Sequence, residues 1–125
     1  MAQFTSGEVL TAANLNNSIN APTLNEQSGA TYTFALTDGG KLVSATNASM
    51  ATLTIPPNSS VAFPVGTIIA VVSYGAATCT VAEGAGVTLN STGGAGADVV
   101  IDGQYAGVTL YKAATDTWLA IGAIV

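Results

Sequence analysis

The sequence predicts an all-β fold, an antiparallel sandwich or barrel-like domain preceded by a short N-terminal helical arm. Two observations carry that expectation. From Thr23 onward the apolar residues recur at every second position in short segments, the period of a half-buried strand. Those segments are separated every 8–12 residues or so by Gly, Pro, Asn and Asp clusters, the spacing of sandwiches and barrels. At 125 residues the chain is long enough for one core and too short for two. We divide it into an arm over residues 1–22 and a β-domain over residues 23–125.

The arm comes first. In "GEVLTAANLNNSIN", Thr11 can cap a helix, Ala12 and Ala13 favour one, and Leu15 and Ile19 fall on one face. Leu10 precedes the cap and can staple onto Leu15. A two-turn helix is not stable alone in water, so this one must dock, either on its own domain or on a partner. Ala21-Pro22 stops it. Phe4, Val9, Leu10, Leu15 and Ile19 are the expected anchors.

Strands follow. "TYTFAL" (31–36) alternates and runs into the turn Asp38-Gly39-Gly40, after which "KLVSAT" resumes the chain. "ATLTIP" (51–56) alternates with Leu53 and Ile55 inward and Thr52 and Thr54 outward. Pro56-Pro57 withdraws two backbone donors and ends that strand. Pro64-Val65-Gly66 then turns the chain into "TIIAVVSY" (67–74), expected to be the most buried strand. "TCTVA", "VTL", "DVVI", "QYAGVTLYKA" and "TWLAIGAIV" complete the series. In "YKAATDTW" we expect a hairpin with its tip at 113–116 and Trp118 returning to the core. The loop "STGGAGADV" is read either as a free tip or as a place for close packing about an oligomer axis.

Composition excludes several function classes. Hydrophobic residues make up 49% and charged residues only 7%, against about 25% charged in an average globular protein. Mean hydropathy is positive, which favours hiding part of the surface against further copies of the chain. Two cations, no histidine and a net charge of −5 leave almost nothing to neutralise phosphates, so neither nucleic acid nor an anionic membrane is an expected partner. The longest strictly apolar run, "IIAVV", falls far short of the roughly 20 residues of a membrane span. No basic-then-apolar secretory pattern opens the sequence.

No catalytic, cofactor or metal residues are expected. Without histidine there is no Ser-His-Asp or Cys-His arrangement and no ordinary zinc or copper site. Asp98 and Asp102 are the closest pair of acids, but four residues along a strand separates them by about 13 Å. The Gly-rich segments lack the lysine and following helix of a phosphate loop. Cys79 in "ATCTVA" reads as a small buried hydrophobe. The Asn-x-Ser/Thr sequences at Asn16, Asn47, Asn58 and Asn90 are those chance provides in so polar-neutral a chain. Sugar binding, which uses exposed rings, has four aromatic candidates in Tyr74, Tyr105, Tyr111 and Trp118, with Asp116 near Trp118.

"FTSGEVLTAANLNNSIN" resembles the opening of many tailed-bacteriophage virion proteins, which read roughly as an aromatic followed by Gly-x-x-Leu-Thr-Ala-x-x-Leu-Asn; the matching residues are Phe4, Gly7, Leu10, Thr11, Ala12, Leu15 and Asn16. The rest, with its "TIP", "FPVGT", "TVAEGAGVTL" and closing "TLYK…W…G", is similar to a β-domain of phage fibre and capsid-surface proteins. The resemblance implies a virion structural protein, commonly a homotrimer, made in the host cytoplasm and carried on the virion surface. Fibre proteins of this group usually embed the domain in a longer chain with a shaft. A small domain with an arm therefore fits a capsid decoration (cement) protein bound to the major capsid protein. The alternative is a short tail or head fibre adhesin that binds a host glycan through Tyr105 or Trp118.

Overall fold

A computed structural model of the chain describes residues 24–76 and 78–125; the arm and its five anchor residues lie outside them. Among the described residues there is no α-helix, only ten strands and one 3₁₀ turn, η1 (Leu36–Asp38). The strands are β1 (Leu24–Gln27), β2 (Thr31–Thr33), β3 (Leu42–Ala45), β4 (Ala51–Ile55), β5 (Ile68–Ser73), β6 (Cys79–Glu83), β7 (Thr88–Asn90), β8 (Val99–Val100), β9 (Gly107–Ala114) and β10 (Thr117–Gly122). They form a six-stranded sheet in the order β1-β3-β5-β9-β10-β7 and a four-stranded sheet in the order β2-β4-β6-β8. The all-β expectation therefore holds.

The antiparallel expectation does not. Through β8 the chain crosses to the opposite sheet at every step, so next-but-one strands become neighbours. β1, β3 and β5 consequently pair parallel, as do β2, β4 and β6, and β7 pairs parallel with β10. Only β5–β9, β9–β10 and β6–β8 are antiparallel. A parallel pair needs a crossover connection, and here the strand of the other sheet supplies it. Short strands separated by turns look alike in sequence whether the turn folds back within a sheet or carries the chain across to the other. Corners of the second kind bring backbones close. At Gly84, next to the end of β4, an added Cβ would lie 2.2 Å from the Ile55 carbonyl oxygen.

The two inner faces meet in one core. Val43, Ile69, Val71, Leu110 and Trp118 from the larger sheet pack with Leu53, Ile55, Val81 and Val99 from the smaller. The β9–β10 hairpin forms as expected, and Trp118 returns to the core, edge-on to Phe63 with ring centroids 5.5 Å apart. Phe63 comes from the long connection between β4 and β5, whose prolines end one strand and turn the chain into the next.

Candidate assembly face

The outer faces of the two sheets differ in chemistry. Register places Thr31, Thr52 and Thr80 in one row across the four-stranded sheet, and Thr33 beside Thr54 in the next. Hydroxyls on a pleated surface suit water, and β-branching suits the strand. Across the six-stranded sheet the corresponding rows read Leu24, Leu42, Ala70, Thr109, Ile121 and Ile68, Tyr111, Leu119. Their large apolar members are all exposed, Ile121 at 59%. Glu26 is the one charged residue among the outward positions of these strands.

β5, expected to be the most buried strand, is thus buried on one side only: Ile69, Val71 and Ser73 point inward while Ile68 is exposed and Ala70 and Val72 are half-buried. Strands that are apolar on both faces are normally covered on both. "TIIAVVSY" and "TWLAIG" carry that signal, and in this chain nothing described covers the outer side. Sequence reasoning had the signal in the run "IIAVV" but assigned it to a core within one chain.

An aromatic pair borders this face. Tyr74, just beyond β5, and Tyr105, in the turn before β9, meet edge-on at 5.5 Å. Tyr105 is 67% exposed and has φ of +67°, a left-handed conformation that is uncommon for a bulky side chain. Its amide donates to the Ser73 carbonyl, and the Gln104 side chain reaches the Tyr74 carbonyl. Trp118, expected beside Tyr105 as a second receptor contact, is instead 2% exposed and packed against Phe63. That expectation is corrected: core packing consumes the ring. Tyr111 stands on the outer face near its centre.

The acids act as staples for the backbone. Asp116 Oδ1 accepts from the Asn58 amide at 2.8 Å, Asp98 Oδ1 from the Glu83 amide at 2.9 Å, and Glu83 Oε2 from the Leu89 amide at 2.7 Å. Asp38 is buried and accepts from the Ala35 amide at 2.8 Å, Asn25 Nδ2 at 2.7 Å and Tyr32 Oη at 2.5 Å. It thereby ties β1, β2 and η1 together. Burial and the bond to Asp38 raise the Tyr32 phenol above its ordinary value. Burial likewise pushes the Cys79 thiol up to about 11.

Among the described residues no three His, Cys, Asp or Glu side chains gather as a metal site, and no helix is long and apolar enough to cross a membrane. The buried polar residues Asp38 and Lys112 escaped sequence reasoning, because each sits where alternation alone offers no sign of its partners. Comparison with family models and with curated proteins finds no match.

Proposed function

We propose that the chain is a bacteriophage virion structural protein, a homotrimeric decoration protein that binds and stabilises the capsid shell. The observation that carries the reading is the contrast between the two sheets. One outer face is threonine-rich and suited to water, while the other is apolar across five strands and almost uncharged. A monomer gains nothing from that contrast, whereas a subunit that buries the apolar face against its copies does. The scarcity of charge and the resemblance of both ends of the chain to phage virion proteins point the same way. In this reading the six-stranded sheet makes the trimer, and Phe4, Val9, Leu10, Leu15 and Ile19 of the arm engage the major capsid protein.

The deciding measurement is copy number per virion, by quantitative mass spectrometry against the major capsid protein. Shell coverage requires copies on the order of hundreds, because closed symmetry multiplies each shell component. A dozen or so would place the protein at a tail or vertex, and none would end the proposal. Replacing Leu10 and Leu15 by Asp removes capsid attachment in this reading while the β-domain stays folded.

The exposed Tyr74–Tyr105 pair, with its left-handed tyrosine, favours one second reading, a short fibre adhesin that stacks a host sugar on those rings. Glycan-array binding that is lost in Tyr105→Ala supports it; an array without signal removes it.

A further inference from the structure

Lys112 is the most unusual side chain in the fold. It sits on the inward side of β9 at 1% exposure, where lysine is almost never found unless paired with a counter-charge. No carboxylate among the described residues forms an ion pair with it. Nζ instead donates to two neutral acceptors, Asn58 Oδ1 at 2.8 Å and the Phe63 carbonyl at 2.7 Å.

Asn58 is held in place. Its amide is bound by Asp116, and Phe63, whose ring meets Trp118 edge-on, belongs to the same connection. The β9 backbone at Lys112 bonds the turn that follows Phe63, donating to the Thr67 carbonyl and accepting from the Gly66 amide. The buried Lys112 Nζ and the half-buried Asn58 carboxamide are therefore held in hydrogen-bond contact.

We propose that Lys112 and Asn58 become joined by an intramolecular isopeptide bond that forms within the folded core. Nζ adds to Cγ of Asn58, and the tetrahedral adduct collapses with cleavage of the Cγ–Nδ2 bond. The proton shed by Nζ ends on the departing nitrogen, which leaves as ammonia. No oxidant, cofactor or second protein is required. Contact near 3 Å between held groups supplies the large effective concentration that an unactivated amide needs. Departure of ammonia to solvent makes the step irreversible. The bond links positions 54 residues apart and closes the long connection onto β9. This inference is independent of the assembly reading.

The test is the mass of the full chain after denaturation, followed by trypsin digestion. The chain contains two tryptic sites, Lys41 and Lys112. With the bond in place the wild type is one ammonia lighter than its sequence, and trypsin cuts after Lys41 but not after Lys112, so the fragment that starts at Leu42 runs through to Val125. Asn58→Asp loses one water in place of ammonia, and Asn58→Ala and Lys112→Arg keep their full sequence masses. A wild-type chain of full mass that is cut after Lys112 overturns the proposal. So does an ammonia loss with Lys112 still cut, since the loss then lies elsewhere. Both decisive readings come from the wild type and do not depend on whether a variant folds.

Discussion

If the six-stranded sheet makes the trimer as proposed, Ile121→Asp separates assembly from folding. Fully burying an isoleucine is worth about 1.5–3 kcal/mol, and Ile121 retains 59% of its surface exposed in the single chain. Covering that remainder contributes about 1–2 kcal/mol per subunit, hence about 3–5 kcal/mol per trimer. Aspartate forfeits this and adds the desolvation of an unpaired carboxylate. The chain offers little to neutralise it, because one of its two lysines is Lys112, already enclosed. At about 1.4 kcal/mol per tenfold, trimer formation should weaken by roughly a thousandfold or more. The fold itself should change by no more than about 1 kcal/mol, the span of strand propensities, since the side chain points away from the core. Sedimentation velocity at micromolar concentration should show wild-type trimers and Ile121→Asp monomers, with thermal unfolding nearly unchanged. Thr33→Asp, on the hydroxyl-rich face, should leave the trimer intact. Wild-type monomers at that concentration, or Ile121→Asp trimers, would refute the reasoning.

Two further outcomes follow from the buried polar groups. Asp38→Ala removes the common acceptor of the Ala35 amide, Asn25 and Tyr32; at about 0.5–1.5 kcal/mol net for each of the three hydrogen bonds lost, a loss of about 1.5–4 kcal/mol is expected in urea unfolding, and a loss under about 0.5 kcal/mol would show the network to be unimportant. Stability should also fall at alkaline pH. The folded Cys79 thiol holds its proton up to about 11 against an ordinary value of 9.0, so between those values the unfolded chain deprotonates first and unfolding becomes easier as pH rises. At 1.36 kcal/mol per unit the loss by pH 11 is of order 2–3 kcal/mol, with Tyr32 adding in the same direction above about pH 10. Cys79→Ala should flatten the first part of that decline, and a urea midpoint constant from pH 8.5 to 11 would contradict it.

Alternation and turn chemistry located nearly every strand. "ATLTIP" is β4 with the expected sides, and "YKAATDTW" is the β9–β10 hairpin. Pairing direction was not legible. Ser28 to Ala30, between β1 and β2, has the length and composition of a hairpin loop, yet it carries the chain to the other sheet. Whether such a loop folds back or crosses over is decided by packing between strands distant in sequence. Exposure of the aromatic residues was equally undetermined. Trp118 and Tyr111 both lie on alternating strands, and only the parity of β9 and β10 relative to the core sends one inward and the other outward. Lys112 illustrates the same limit from the polar side. It shares its parity with Leu110, and its two acceptors come from a connection about fifty residues earlier.

The placement of the few polar anchors explains how an apolar outer face can coexist with a folded single chain. Crossing between sheets at every step through β8 makes irregular corners whose backbone groups no ladder satisfies. Here side chains satisfy them. Asp38 gathers the corner joining β1, β2 and η1, Asp116 and Lys112 gather the connection before β5, and Glu83 and Asp98 bind the segments around β7 and β8. A chain with so few charges has thus committed most of them to internal fastening rather than to covering its exterior. That choice leaves the six-stranded sheet without the like-charge repulsion that would keep copies apart, while the enclosed core holds the domain without help from a neighbour. In the proposed trimer, folding and assembly rest on opposite faces of the same strands, and a charge on the outer side of β10 should abolish the second without the first.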